Sequence, residues 1–358
     1  MAHKVVAVDD VQINLDILEA ILDEEYDVTT LTSGADALAH MAESQPDLVL
    51  LDLHMPEMDG FEVLRQMRTN PSTARIPVIF VTAEQEEYSE EKGLNLGAVD
   101  YIRKPYNSDI IRIKIRNHIE LKAYRDDLAG MVEERTHQLT AAHEAIIMGM
   151  SLLSESRDGI TGSHLARIKL QTRLLAYKLA ELYPERLDKE MANIITTYSP
   201  LHDVGKVGIP DSVLKKSGGL TREEFELMKS HTLSGGELLR QMTDFLVAEQ
   251  RTPLNVAIDI AENHHERFDG TGYPKGISGE DIPLAARIVA LPDIYDALRS
   301  TRPYKRGFTH EESLDIILKG DGRTDPAHFD PMVLAAFRDV HEEMAAAFDE
   351  NPDPHFRH

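Results

Sequence analysis

The sequence contains no cysteine, so disulfides and thiolate metal ligands are excluded, and any metal site must be built from histidine and carboxylates. It has no long apolar run: stretches such as Leu48 to Leu51 are far too short to span a bilayer. The N-terminus, MAHKVVAVDD, lacks a charged segment followed by an apolar stretch, so no signal peptide is expected and the chain reads as cytoplasmic. Positive charge is scarce: 38 Lys and Arg stand against 62 Asp and Glu, a formal net charge of -24. That balance argues against nonspecific binding to DNA, RNA or an anionic membrane. An anionic substrate would have to be drawn in by bound metals and a few placed basic side chains. At 358 residues the chain has room for two or three domains, each with its own core.

What is present falls into two halves. Residues 4–8 (KVVAV) form an apolar run ending at Asp9-Asp10, and further runs follow at Leu48 to Leu51, Val78 to Val81 and Tyr101-Ile102. Helix-like patterns separate them, for example Leu15, Leu18, Ile21 and Leu22. Alternating strands and helices predict a parallel sheet covered on both faces, with its site outside the carboxyl ends of the strands. The residues at those ends are Asp9, Asp10, Asp52, Thr82 and Lys104. Acids there can hold Mg²⁺, an aspartate can accept a phosphoryl group, and a lysine and a hydroxyl can hold the phosphoryl oxygens. Any one of the three acids is explained as a strand-end turn residue; the five residues together at successive strand ends are not.

On these residues, with the strings LLDLHMPEMDG and VTA and the Lys104-Pro105 pair, residues 1–120 resemble a response-regulator receiver domain of flavodoxin-like fold. The resemblance implies Asp52 as phosphoacceptor, Mg²⁺ at Asp9 and Asp10, a sensor histidine kinase as partner, and a cis peptide before Pro105. Tyr101 matches the family's aromatic switch position; as a core aromatic on a strand it is explained equally well.

Residues 107–155 carry no strand signal and no proline. Val132, Leu139, Ile146 and Leu153 recur every seven residues, with Leu121, Leu128 and Ala142 on neighbouring positions and Arg135 and Gly149 interrupting the seam. The segment 121–155 is expected to be a long helical linker that pairs with its copy in a homodimer. A single amphipathic helix packed on its own domain fits the same pattern.

From residue 156 to about 345 the pattern is helical throughout, as in the stripe Leu174, Leu175, Leu179 and Leu182, so an all-α domain is expected; residues 346–358 read as a disordered tail. Within this half RDGITGSH supplies His164, LHDVGKVGIPD supplies His202, Asp203 and Lys206, MKSH supplies His231, NHHERFDGTGYP supplies His264 and His265, and VALPDIYDAL supplies Asp293. A lone histidine among these is ordinary. Five histidines and two aspartates in such strings call for metal, because an unpaired buried His-His pair is costly.

These strings, with IPLAARIVALPDIYDALRSTRPYK and HFDP, resemble the HD-GYP branch of the HD-domain phosphohydrolases. The resemblance implies a metal-dependent phosphodiesterase hydrolysing cyclic di-GMP to pGpG, and onward to GMP in some members. Two divalent cations about 3.5–4 Å apart can clamp an in-line displacement at phosphorus. Asp203 would bridge them, with His164, His202 and Asp293 completing one cation and His231, His264 and His265 the other. Fe or Mn suits such ligands, as do Ni, Co and Zn. Lys206, one turn from Asp203, would stabilise developing charge or protonate the leaving oxygen. Gly272, Tyr273, Pro274, Arg302 and Lys305 are the expected substrate contacts, through close backbone approach, base stacking and phosphate binding. Asp158 and Arg287 are candidates to orient ligands. Family members with three metals carry a glutamate four residues before the histidine matching His164; Ile160 stands there, so two metals are expected. Pro292, just before Asp293, would suit a helix start. Other substrates, such as another cyclic dinucleotide or a nucleotide, and a silent cyclic di-GMP sensor are the competing readings. A DNA-binding output is disfavoured by the charge.

Overall fold

The computed structural model describes residues 2–82, 87–157, 162–216, 218–245, 251–301 and 306–352. The chain divides into two compact units, residues 1–137 and 138–358.

In the first unit, strands β1 (His3–Val8), β2 (Tyr26–Leu31), β3 (Leu48–Asp52), β4 (Val78–Thr82) and β5 (Asp100–Arg103) form one parallel sheet in the order β2-β1-β3-β4-β5. The pleat sorts each strand between two cores. Val5 and Ala7 pack with Leu15, Leu18, Ile111 and Ile115; Val6 and Val8 pack with Ala37, Met41, Val63 and Leu64. Helices α1 (Gln12–Leu22), α2 (Gly34–Glu43), α3 (Gly60–Thr69), α4 (Glu87–Asn95) and α5 (Ser108–Glu155) supply the cover. Sequence reading identifies four of the five strands and misses β2. Of its six residues only Tyr26 is buried, as befits an edge strand, and YDVTTL lacks the continuous apolar run of its neighbours. At α3, Asp59 caps the helix through the Glu62 amide, and a Cβ on Gly60 would lie 2.4 Å from the Asp52 carbonyl, so only glycine lets the helix start against the end of β3.

Helix α5 runs for 48 residues, as its lack of proline predicts. Ile111, Ile115 and Ile119 are buried on the sheet. Further along, Leu121, Leu128, Val132, Leu139, Ile146 and Leu153 are between 54% and 73% exposed, so the seven-residue apolar seam faces outward.

The described residues of the second unit contain no strand. They form α6 (Gly162–Leu182), α7 (Lys189–Tyr198), a 3-10 stretch (Ser199–Gly208), α8 (Asp211–Leu214), α9 (Arg222–Thr243), α10 (Arg251–Asn263), α11 (Leu284–Arg299), α12 (His310–Lys319) and α13 (Pro331–Glu350). Leu175, Leu179, Ile195, Leu239, Ile260, Ile288 and Phe337 belong to one core. Side-chain caps set several helix starts: Asp188 for α7, and Thr221 with Glu224 and Thr309 with Glu312 as capping boxes for α9 and α12.

Two expectations are corrected here. Pro292 lies inside α11 rather than at its start, since Leu284 to Arg299 is continuous helix around it. A tail disordered from residue 346 is also excluded. Helix α13 continues to Glu350, Arg167 Nη1 donates to the Asn351 carbonyl at 2.9 Å, and Ser163 Oγ donates to that of Pro352 at 3.1 Å. Residues 353–358 lie outside the described residues.

Candidate metal centre

The HD segment is presented by a tight backbone. After α7 the chain narrows into the 3-10 stretch, with Pro200 in its first turn. A Cβ on Gly205 would lie 1.9 Å from the His231 carbonyl and 2.4 Å from the Gly235 nitrogen. Glycine therefore lets this stretch press directly on α9. It brings His202 and Asp203 against His231 of α9 and against His264, which immediately follows α10.

Three imidazoles share one arrangement. His202 Nδ1 donates to the Ser199 carbonyl (3.0 Å), His231 Nδ1 to that of Met228 (2.7 Å), and His264 Nδ1 to that of Ile260 (3.0 Å). Each bond fixes the tautomer and turns Nε2 toward Asp203. Asp203 Oδ1 lies 3.1 Å from His231 Nε2 and 3.7 Å from His264 Nε2; Oδ2 lies 3.2 Å from His202 Nε2 and 2.8 Å from Lys206 Nζ. The three Nε2 atoms and Asp203 Oδ1 are buried without a hydrogen-bond partner. Orphaned imidazole nitrogens and a carboxylate oxygen converging in this way fit a shared cation.

The donors fall into two groups whose atoms lie within 4.8 Å of one another: Asp203, His231, His264 and His265 in one, and Glu155, His164 and His202 in the other. His164 Nδ1 donates to Asp296 Oδ2 at 2.7 Å, and Arg167 Nε holds the other oxygen of Asp296 at 2.5 Å. Asp293 is more peripheral, with Oδ1 3.9 Å from His202 Nε2. His265 packs its ring on His264, centroids 4.0 Å apart.

Electrostatics keep Asp203 ionised and His264 and His265 neutral, the forms that can donate to a cation. Burial pushes Asp203 up, but Lys206, His202 and His231 outweigh it and hold it well below the usual carboxylate range. Burial, then neighbouring imidazoles, holds His265 well below its ordinary value, and burial also lowers His264, so both stay neutral and able to donate a lone pair. At His202 burial acts downward, but Asp203, Asp293 and Glu155 raise it to about 9. Glu155 is pushed up to about 7, chiefly by burial. An oxygen and nitrogen set without thiolate suits Fe, Mn, Ni, Co or Zn.

The GYP loop folds onto this cluster. Tyr273 stacks near His265, centroids 4.7 Å apart, and is joined to Pro274 by a cis peptide. Buried Glu266 accepts from the backbone nitrogens of Lys275 (2.7 Å) and Gly276 (3.2 Å), closing the loop. A Cβ on Gly272 would meet the Arg267 nitrogen at 2.3 Å. The close approach at Gly272 is thus to the chain's own backbone. Arg287 pairs with buried Asp330 of the HFDP string, tying α11 to the start of α13.

In the first unit Lys104 Nζ donates to Asp9 Oδ2 (2.8 Å) and Asp52 Oδ1 (2.6 Å), and the peptide before Pro105 is cis. Asp9 and Thr82 are buried, whereas Asp10 is exposed. Burial raises Asp52 above its ordinary value despite Lys104; Asp9 adds to the rise. Tyr101 is half-buried, with Lys114 Nζ 4.9 Å from its ring centroid and bonded to its carbonyl at 2.8 Å.

Comparison with known proteins agrees with both units. Residues 5–116 match the response regulator receiver domain and residues 155–331 the HD domain. A probable cyclic di-GMP phosphodiesterase of Vibrio cholerae is 41% identical over 343 residues, spanning 93% of this chain and 76% of that protein. The chain belongs to the HD-GYP response-regulator family. Its relatives include the cyclic di-GMP phosphodiesterase response regulator RpfG of Xanthomonas campestris, 35% identical over 93% of this chain and 86% of that one. A 3'3'-cGAMP-specific phosphodiesterase of Vibrio cholerae is 35% identical over 60% of this chain and 38% of its own length.

Not every expected residue of this HD-GYP regulator can be placed. Asp158, Ile160, Arg302 and Lys305 lie outside the described residues. Conversely, Glu155, Arg167 and Asp296 were not singled out from sequence. Asp296 does sit in the string VALPDIYDAL, one turn beyond Asp293, whereas Glu155 lies two residues before RDGITGSH.

Proposed function

We propose that this chain is a phosphorylation-controlled phosphodiesterase that hydrolyses cyclic di-GMP to pGpG at a site holding two divalent cations, Fe or Mn foremost. The observation that carries the reading is the convergence of the His202, His231 and His264 Nε2 atoms on the two oxygens of Asp203. The names of the full-length relatives supply the substrate class.

Bound divalent cations supply Lewis acidity toward a phosphoryl oxygen and lower the pKa of water. The chain's own residues do the rest. Asp203 turns Oδ1 toward His231 and His264 and Oδ2 toward His202, so it would be shared by the two donor groups. The Nδ1 bonds to carbonyls and to Asp296 hold the rings of His202, His231, His264 and His164 in place. Lys206 faces the same carboxylate and stabilises charge on the phosphoryl group or protonates the departing 3′-oxygen. Tyr273 and Pro274 form one wall for the substrate, and Arg302 and Lys305 bind its phosphates or guanine. Asp52 accepts the phosphoryl group from a sensor histidine kinase, with Mg²⁺ held by Asp9, Asp10 and Asp52. Thr82, Tyr101 and Lys104 report the change. The outward apolar seam of α5 pairs two copies, and the protein acts in the cytoplasm. Residues 1–120, 121–155 and 156–345 serve as receiver, linker and hydrolase.

A substrate panel tests the assignment. Mn²⁺- or Fe²⁺-loaded protein is given cyclic di-GMP, 3'3'-cGAMP and linear pGpG, with products separated. Preferential loss of cyclic di-GMP with pGpG formed is expected; preference for 3'3'-cGAMP would move the assignment to that substrate.

A further inference from the structure

We propose that Glu155 is a ligand of the cation held by His164 and His202, so that the last residue of α5 belongs to the metal centre. Glu155 is only 1% exposed, and neither of its carboxylate oxygens has a hydrogen-bond partner. A buried carboxylate in that condition needs a proton or a cation. Its Oε1 lies 3.6 Å from His164 Nε2, too far for a hydrogen bond. Two donors bound to one cation at about 2.0–2.2 Å in tetrahedral geometry stand about 3.3–3.6 Å apart, which matches. The other ring nitrogen of each histidine is already engaged, His164 Nδ1 by Asp296 and His202 Nδ1 by the Ser199 carbonyl, so both Nε2 atoms are left for the centre.

The surrounding chain fixes Glu155 in register. Ser154 Oγ donates to the carbonyls of Asp203 and Val204, both at 3.0 Å. Arg157 donates to the carbonyls of Val207 (2.6 Å) and Ile209 (3.0 Å). The end of α5 is therefore clamped to the stretch bearing His202 and Asp203, on both sides of Glu155. A carboxylate here makes the His164–His202 position the more oxygen-rich of the two and the better suited to Mn²⁺.

The inference rests on the metal reading of the cluster and not on the identity of the substrate. The test is Mn²⁺ titration of the full-length chain against a chelator, with bound metal counted, and thermal unfolding with and without Mn²⁺. In E155Q one Mn²⁺ is expected to bind at wild-type strength and the other at least about tenfold more weakly. The metal-free variant should melt no lower than metal-free wild type, because an unpaired buried charge has been removed, while the rise in Tm on adding Mn²⁺ shrinks. E155D, which keeps the charge on a shorter arm, should fall between the two; should E155Q fail to fold, E155D alone decides by whether Mn²⁺ binding weakens. Two Mn²⁺ bound at wild-type strength in E155Q would overturn the inference, as would a lower metal-free Tm with unchanged binding. A wild-type chain that binds no cation overturns both this and the metal reading. Binding without hydrolysis overturns only the proposed function.

Discussion

Lys206 holds its ammonium 2.8 Å from Asp203 Oδ2, while the other oxygen of the same carboxylate faces His231 at 3.1 Å. One side chain thus joins the histidine-facing edge to the only described lysine or arginine within ion-pair distance of Asp203. Lys206→Ala is expected to lower kcat by about 10²-fold or more, the usual worth of a positioned proton donor or charge stabiliser, with both cations retained. Steady-state kinetics alongside metal analysis checks this. A variant that loses metal as well as rate would assign Lys206 to holding Asp203 in place.

Gly205→Ala tests the packing that assembles the centre. Its new Cβ would stand 1.9 Å from the His231 carbonyl and 2.4 Å from the Gly235 nitrogen, both backbone atoms that cannot swing aside. The 3-10 stretch and α9 must separate, at a cost of about 3 kcal/mol or more. A lower Tm and weaker Mn²⁺ binding are expected together; wild-type values for both would contradict the close contact.

A pH dependence follows from Asp100. Burial pushes its carboxyl up, but the bond from Lys114 (2.6 Å), the Tyr101 amide and His118 (3.2 Å) outweigh it, so its folded pKa lies below the ordinary carboxylate value. A depressed folded pKa contributes stability above the unfolded value of about 3.9 and loses it as pH falls through the folded value. Asp100→Asn should therefore destabilise the receiver by about 1 kcal/mol at pH 7, with the gap to wild type closing below about pH 4. Urea unfolding of the receiver transition across that range measures it. A gap independent of pH would exclude the ion pair as its source.

The α5 seam predicts assembly. Val132, Leu139 and Ile146 are all more than 60% exposed on one stripe, as a two-stranded coil requires. Replacing all three with Glu should convert a dimer to a monomer in analytical ultracentrifugation without altering the metal content. A wild-type monomer at micromolar concentration would remove the seam's assigned role.

Much of the fold and the centre was legible because the relevant residues are local in sequence. His264-His265 and His202-Asp203 are adjacent pairs, and the receiver acids stand at the ends of apolar runs. What escaped reading depends on tertiary contact. Glu155 ends a 48-residue helix that carries four other glutamates, and is marked out only by its burial beside His164. Asp296 looks like a helix-surface acid until His164 and Arg167 are seen to meet it. Edge strand β2 carries alternating polar residues that no apolar run reveals. Pro292 reads as a helix start because proline fits there best, yet α11 carries it inside the helix, where nine further residues are buried.

The most direct measurement is cyclic di-GMP turnover by full-length protein loaded anaerobically with Fe²⁺ or Mn²⁺, run beside a His202→Ala/Asp203→Ala variant and repeated with a small-molecule phosphodonor on wild type and Asp52→Ala. Turnover to pGpG that vanishes in the double variant, and that the phosphodonor changes in wild type but not in Asp52→Ala, is the expected result. Two bound cations with no turnover in either phosphorylation state, or turnover that survives loss of His202 and Asp203, would contradict a phosphodiesterase at this centre.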